Sequence, residues 1–339
     1  MNLAITESSQ VTEARRLTRA LTGDLGFSDV EMGKAALVVT ELGGNLVKHA
    51  TGGGELIIRP LAWEGVSGIE ILSLDKGPGL ARVAEALRDG YSSAGTTGTG
   101  LGAVKRISSF FDIHSLPGKG TAVLACLWSK LLPKDYYLFR HQIGAVNAAK
   151  PGEEISGDAW AVSQQPDRTL ILVADGLGHG PLAAEASGTA ARIFRENPGL
   201  SLAGILELLH GALKSTRGAA VAVADVDETR QEVRFAGVGN ISGIILSVAG
   251  NRSLVSHNGT LGYEARKIQE RIYPWPKEAI LILHSDGMTA RWDLESYPGL
   301  LKKHPSLIVG VLYRDFKRGS DDITVVAVRA ADRLRDYNG

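Results

Sequence analysis

Two sets of residues, in different halves of the 339-residue chain, have the types and spacing needed for chemistry. In the first half, ELGGNLVKHA begins at Glu41, DKGPGL at Asp75 and TGTGLG at Thr97. An acid and an amide followed by glycine-rich turns are suited to binding a flat base and its phosphate groups. The second half contains widely separated aspartates next to glycine or serine: Asp158, Asp175, Asp286 and Asp321. Carboxylates that folding gathers in this way are typical ligands of divalent metal ions.

The composition sets limits on the class of protein. Hydrophobic residues make up 44% and charged residues 22%, which is typical of soluble globular domains, and the length predicts two of them. Lys plus Arg equals Asp plus Glu, at 37 each. The chain therefore has no excess of positive charge that would indicate a nucleic-acid partner. The single cysteine, Cys126, lies in an apolar run and is expected to be a buried strand residue. Without a membrane-spanning run or a signal-peptide pattern at MNLAITESSQ, we expect a cytoplasmic protein that does not bind membranes.

The elements that position the first set of residues follow from local patterns. Ser28 and Glu31 match a capping box, and the helix that follows places Glu41, Asn45 and His49 on one face at intervals of four. An apolar strand then ends at Asp75, which can accept a hydrogen bond from an exocyclic amine. The next glycine-rich turn opens another helix, where amide groups and the helix dipole cradle phosphates. These phosphate-binding candidates are Thr97, Gly98, Thr99, Gly100, Leu101 and Gly102.

In this order, the three motifs resemble the N, G1 and G2 boxes of the GHKL ATPase superfamily, most closely the RsbT-type serine/threonine kinases of partner-switching systems. The resemblance implies a Bergerat α/β sandwich that binds ATP, with Asn45 coordinating Mg²⁺ on the phosphates. Glu41 would activate the acceptor hydroxyl or orient a water. The adenine would be read by Asp75, with Thr121 nearby and Gly77 and Gly79 closing around the base, and 88–98 would be the ATP lid.

His49 has a second interpretation, as the phosphoacceptor of a histidine kinase. That histidine normally lies on a separate dimerisation helix upstream. Only one helix is predicted before Phe27, so we do not expect this role for His49.

In the second half, predicted strands and helices alternate in blocks, which suits an α+β sandwich flanked by helices. Asp175 and Asp286 each end a very apolar strand, LILVADG and LILHSDG. An ordinary Asp-Gly turn would also explain one such site. Two of them, together with SGD at Asp158 and SDD at Asp321, favour a metal site, because coordination relieves the cost of burying carboxylates.

The order of these motifs resembles the PPM family of metal-dependent serine/threonine phosphatases, in its compact SpoIIE-like and RsbX-like branch. The resemblance implies two Mn²⁺ or Mg²⁺ ions bridged by Asp175, with Gly176 contributing its carbonyl. Asp286 and Asp321 would complete one ion's ligands, and Asp158 would assist at the other. Asp322 occupies a position where many relatives carry Asn. His179 either protonates the leaving serine oxygen or only shapes the Gly-His-Gly turn.

Together these patterns predict an α/β domain over 1–132, a linker over 133–140, an α+β phosphatase domain over 141–330 and a tail over 331–339. The predicted function is a bifunctional kinase and phosphatase of a stressosome-like partner-switching system, acting on Ser or Thr of a STAS-domain partner. A sigma-factor regulator or a downstream phosphatase is a further possible partner. The alternative is a nucleotide-gated, anti-sigma-type binding module fused to a phosphoserine phosphatase.

Overall fold

The computed structural model describes residues 1–88, 100–132, 141–165, 168–265 and 268–331. These residues form two compact units. Unit 1 contains the described residues up to 132 together with Asp293–Arg314, and unit 2 contains the rest. Within the described ranges, no helix is both long and apolar enough to cross a membrane.

Unit 1 is an antiparallel sheet with helices against it. Its N-terminal elements are β1 (Asn2–Ile5), α1 (Ser8–Asp24), α2 (Asp29–His49), β2 (Gly54–Trp63), β3 (Val66–Asp75), α3 (Val83–Ala86), α4 (Gly100–Ile107), β4 (Phe110–Leu116) and β5 (Gly120–Trp128). The described strands pair in the order β1-β2-β3-β5-β4. Ser28 caps α2 as expected, accepting a hydrogen bond from the Glu31 amide at 3.3 Å. The Glu31 carboxylate does not complete the capping box; it accepts a hydrogen bond from Lys34 instead.

The central strand of unit 1 is buried on both of its faces. Along β3 the side chains alternate, and Ile69 and Ile71 pack with Leu42 and Leu46 of α2 in one hydrophobic core. The intervening Glu70, Leu72 and Leu74 are buried as well, on the opposite face. A strand buried on both sides is expected to be mostly apolar, and GIEILSL is apolar except at Glu70 and Ser73. Cys126 of β5 is buried, as predicted.

Unit 2 is a sandwich of two antiparallel sheets. Its elements are β6 (His141–Ala148), β7 (Asp158–Gln164), β8 (Thr169–Gly176), α5 (Pro181–Glu196), α6 (Leu202–Ala212), β9 (Ala219–Asp227), β10 (Glu232–Val238), β11 (Ser242–Leu246), β12 (Arg252–Leu254), β13 (Arg271–Pro274), β14 (Ile280–His284) and β15 (Ile323–Ala330). The described strands are ordered β13-β10-β9-β8-β7 in one sheet and β12-β11-β14-β15-β6 in the other.

Two hydrophobic cores hold unit 2 together. Between the sheets, Ile171 and Val173 of β8 pack with Leu281 and Val326 of the opposite sheet. On the outer face of the first sheet, Leu170 and Leu172 pack with residues of α5 and α6. This sandwich flanked by helices, preceded by the mixed α/β unit, confirms the predicted fold class.

The chain between β14 and β15 contains a short 3-10 helix (Leu300–Lys302) and an α-helix, α7 (Pro305–Phe316). The sequence predicts short helices at this point, directly before the last strand. The structure adds that Asp293–Arg314 packs as part of unit 1.

Candidate functional site

The polar face of α2 points toward the start of α4. A Cβ at Gly100 would lie 3.8 Å from Oε2 of Glu41 and 3.9 Å from Oδ1 of Asn45, so both side chains reach the same helix N-terminus. The first amides of a helix lack partners within the helix and attract anions. Gly100, Leu101 and Gly102 form the first turn of α4, whereas Thr97, Gly98, Thr99 and positions 89–98 of the predicted lid lie outside the described residues.

Asp75 ends β3, and backbone donors fix its carboxylate. Oδ1 accepts hydrogen bonds from the amide of Gly77 at 2.7 Å and that of Thr121 at 3.2 Å. Among the described residues no donor reaches Oδ2, which leaves that oxygen for a ligand amine. Burial raises the pKa of Asp75, and the two N–H donors partly offset that shift because they stabilise the charged form.

Ser115, which the sequence patterns do not single out, holds the loop around Asp75 together. Its hydroxyl accepts a hydrogen bond from the Leu80 amide and shares one with Thr121 Oγ1, both at 2.8 Å. The loop also needs glycine at position 79, where φ is +70° and a Cβ would lie 2.0 Å from the carbonyl oxygen of Leu116. The predicted adenine-reading residues Asp75, Gly77, Gly79 and Thr121 therefore form one rigid group.

The predicted aspartates of unit 2 occupy the ends of its central strands. Asp158 begins β7 and lies directly opposite Asp175 at the end of β8 in the antiparallel ladder. Asp286 follows β14, and Asp321 precedes β15, its neighbour in the second sheet. The four carboxylates thus come from both sheets of the sandwich.

Two residues that the sequence analysis does not assign a role orient these carboxylates. Ser285 donates to Oδ2 of Asp158 at 2.6 Å and accepts from the Thr324 amide at 2.9 Å, which ties the two sheets together. Asn240 donates to Oδ2 of Asp286 at 2.7 Å. Both residues lie inside recognisable motifs, SDG and AGVGNI, but only the folded chain shows which carboxylate each one holds.

The electrostatics indicate four carboxylates that repel one another. Burial, followed by repulsion from Asp158, Asp286 and Asp321, raises the pKa of Asp175 to about 8. Burial is also the main cause that raises the pKa of Asp158 to about 7. Within the described residues, no three acidic, histidine or cysteine side chains stand close enough to hold an ion as they are.

Asp322 supplies an independent indication that a cation fits here. Its Oδ1 accepts a hydrogen bond from the Lys150 amide at 2.9 Å, but its Oδ2 is buried without a partner. A buried, unpaired carboxylate oxygen is costly unless a proton or a cation satisfies it. The donor set, all carboxylate and carbonyl oxygen, suits Mg²⁺ or Mn²⁺.

The loop after β8 brings the last predicted residues to the same region. Gly176 passes so close to α5 that a Cβ would lie 2.0 Å from the carbonyl oxygen of Ala183, so only glycine fits there. His179 pairs with Glu153 at 2.7 Å between Nδ1 and Oε1, and its side chain is half exposed. The carboxylate orients the imidazole without burying it, which is compatible with either role predicted for His179.

The fold and these two groups of residues define a two-domain protein in which an ATPase-like α/β domain precedes a phosphatase-type β-sandwich. Residues 5–127 match the histidine kinase-like ATPase domain family, and residues 165–331 match the stage II sporulation protein E (SpoIIE) family. The serine/threonine-protein kinase RsbT of Bacillus subtilis (strain 168) is 34% identical over 118 residues, which are 35% of this chain and 88% of that protein. The chain belongs to the RsbT-like kinase family and is a fusion of that domain with a SpoIIE-type PPM phosphatase domain.

Other relatives match the second domain. The phosphoserine phosphatase RsbX of the same organism is 27% identical over 159 residues, 47% of this chain and 78% of that protein. A solved structure described as the bacterial stressosome, a modular system adapted to control secondary messenger signalling, is 28% identical with a TM-score of 0.53, covering 56% of this chain and 100% of that chain. The crystal structure of RsbX in complex with magnesium, at 24% identity and a TM-score of 0.51, covers 56% of this chain and 96% of that one, and shows the same fold. The chain therefore joins a partner-switching kinase-like domain to a SpoIIE-type phosphatase domain.

Proposed function

We propose that this protein is a bifunctional switch enzyme that phosphorylates a serine or threonine of a STAS-domain partner and also removes phosphate from such a partner. The observation that carries the proposal is the placement of Asp158, Asp175, Asp286 and Asp321 at strand ends of the two unit 2 sheets, in the same chain as the group around Asp75.

In the kinase half, each residue has a role that fits its surroundings. Oδ2 of Asp75 accepts a hydrogen bond from the adenine amino group, while Gly77 and Thr121 hold the carboxylate in place. Asn45 would hold Mg²⁺ at the phosphates, and the N-terminal amides of α4 would bind phosphate oxygens. Glu41, beside Asn45 at the same helix end, takes the proton from the acceptor hydroxyl.

In the phosphatase half, Asp158, Asp175, Asp286 and Asp321, with the carbonyl of Gly176, would hold two Mg²⁺ or Mn²⁺ ions. When bound, such ions neutralise phosphate charge and activate water. Ser285 and Asn240 keep the carboxylates oriented. His179, oriented by Glu153, is the candidate donor of a proton to the leaving serine oxygen.

The choice of partner rests on the relatives. One is a protein kinase, another is a phosphoserine phosphatase, and a third structure is described as a stressosome. A chain that joins both activities is expected to act on the phosphorylation state of one switch protein, with cytoplasmic STAS-domain proteins as the substrate class.

The test is a steady-state assay with a purified STAS-domain partner, ATP and Mn²⁺. We expect Asp175→Asn to accumulate phosphorylated partner, because the phosphatase site loses one of the carboxylates that would hold its metal ions. Glu41→Ala should instead strip phosphate from partner that was phosphorylated beforehand.

Glu196→Gln, a neutralisation on the exposed surface of α5, serves as the control and should behave as wild type. If neither active-site variant, Asp175→Asn or Glu41→Ala, shifts the partner's phosphorylation level, the two domains do not share that substrate and the proposal is wrong. If Glu41→Ala still binds partner in an ATP-dependent way and wild type transfers no phosphate, the first domain is a nucleotide-gated binding module.

A further inference from the structure

The segment Asp293–Arg314, referred to below as the 293–314 segment, covers the face of the unit 1 sheet that α1 and α2 leave open. On β3 this face presents Leu72 and Leu74. Gly310 of α7 lies so close to it that a Cβ there would be 2.9 Å from Cδ2 of both leucines. The segment is therefore packed into the sheet at van der Waals distance.

Polar contacts fix the position of the 293–314 segment on the sheet. Ser306 donates to the buried Glu70 carboxylate at 2.7 Å, and Tyr313 donates to Glu55 at 2.8 Å. Lys303 forms an ion pair with Asp112 of β4 at 2.8 Å. These anchors reach β2, β3 and β4, so the segment cannot shift without disturbing most of the sheet.

The last residue of the segment reaches the back of the adenine-reading group. Nη1 of Arg314 donates to the carbonyl oxygen of Asp75 at 2.8 Å and lies 3.5 Å from that of Thr121. Arg314 is only 5% exposed, so its charge acts at close range. That charge opposes the burial that raises the pKa of Asp75, which favours the ionised carboxylate needed to accept a hydrogen bond.

The same segment is tied by chain connectivity to the phosphatase carboxylates. In the sequence it lies between Asp286 and Asp321. Directly after it, the carbonyl of Phe316 accepts a hydrogen bond from Thr289, and the amide of Arg318 donates to Gly287, both at 2.9 Å. Arg314 is therefore two and four residues from the backbone contacts, at Phe316 and Arg318, with the loop that holds Asp286.

We propose that Arg314 is a positioning residue of the nucleotide site, and that the 293–314 segment links nucleotide binding to the arrangement of the phosphatase carboxylates. The inference rests on the proposed function, since it concerns the same two sites. A link of this kind is reciprocal: whatever nucleotide does to the carboxylate loop, metal binding at that loop does to nucleotide affinity. It would bias two opposing activities that otherwise form a futile cycle.

The experiment uses the full chain and two readouts that need neither enzymatic activity. Calorimetry measures the Kd of Mg·ADP, and hydrogen exchange follows peptides within 285–292 and 315–324 with and without saturating Mg·ADP. In wild type we expect nucleotide to slow exchange in these peptides about three-fold or more. Arg314→Gln should raise the Kd roughly ten-fold, as loss of a hydrogen bond from a charged donor implies, and should abolish the slowing even at saturation.

Matched variants separate positioning from general loss of structure. Tyr313→Phe removes a hydrogen bond from the neighbouring residue of the same helix and should keep the Kd within two-fold of wild type. Arg314→Lys restores a cationic donor and should recover part of the affinity, and it carries the test if Arg314→Gln does not fold.

Two results overturn the inference alone: a wild-type Kd in both Arg314 variants, or exchange in these peptides that ignores nucleotide in wild type. If wild type itself fails to bind Mg·ADP, the proposed kinase function falls as well.

Discussion

Neutralising one carboxylate of the phosphatase cluster should make the metal-free protein more stable. Asp175→Asn keeps the shape of the side chain and removes a charge that is disfavoured by burial first and by repulsion from Asp158, Asp286 and Asp321 second. The folded protein binds a proton at Asp175 up to a pH of about 8, whereas the unfolded chain releases it near the ordinary pKa of 3.8. The wild type therefore loses stability as the pH rises through this window, and the variant does not.

The size of the effect follows from that shift. One pKa unit corresponds to about 1.4 kcal/mol, so a rise of roughly four units sets a ceiling of about 5 to 6 kcal/mol at pH 8. Asp175 is partly exposed and shares its repulsion with three other carboxylates, so we expect a gain of about 2 kcal/mol. For a domain of this size that is a rise of about 4–8 °C in the Tm of unit 2.

The assay is thermal unfolding in EDTA between pH 5 and pH 8, monitored by calorimetry so that the transitions of the two units can be resolved. The advantage of Asp175→Asn should grow with pH and shrink when Mn²⁺ is added, because the ion stabilises the wild type more. Glu196→Gln, whose carboxyl is 55% exposed, should show neither trend. If Asp175→Asn is less stable than wild type at pH 8 in EDTA, the carboxylates do not form a repulsive cluster and the metal assignment loses its physical basis.

Two further predictions concern ligands. Asn45→Ala should abolish Mg·ATP-dependent phosphotransfer with little change in Tm, because the Asn45 side chain faces α4 and not the core. Asp75→Asn should weaken ATP binding, measured by calorimetry, by about ten-fold. An unchanged affinity would mean that Asp75 does not read the adenine. Hydrolysis of an aryl phosphate should require Mn²⁺ or Mg²⁺, stop on chelation and return when the ion is restored, and be lost in Asp286→Asn; turnover in EDTA would contradict the phosphatase assignment.

Much of this protein could be predicted from the sequence because its chemistry lies in local patterns. The spacing of Glu41 and Asn45 places them on one helix face, and the apolar runs before Asp175 and Asp286 place both at strand ends. The sequence does not show which distant side chains contact each other in the folded chain. Ser285 and Asp158 are 127 positions apart, and many other serines precede an aspartate or a glycine with no such role.

The position of α7 illustrates the same limit. LIVGVL, the middle of α7, is apolar on every side, so its pattern predicts a buried helix but not which sheet it packs against. Its polar anchors, Ser306 and Tyr313, find Glu70 and Glu55 more than 230 positions earlier, and only the folded chain shows this. The bounds of the phosphatase domain along the sequence, 141–330, stay a prediction. Within those bounds, packing places 293–314 in unit 1.

That assignment has a consequence for how the protein is made. The last strand of the first sheet ends at Trp128, but the helix that covers Leu72 and Leu74 is synthesised roughly 190 residues later. At a translation rate of about 5–20 residues per second, the nascent chain carries an uncovered apolar sheet face for about 10 to 40 s. Ribosome-bound chains stalled before residue 293 should therefore recruit chaperones at the first domain, and chains stalled well beyond Arg314, once that stretch has left the exit tunnel, should release them.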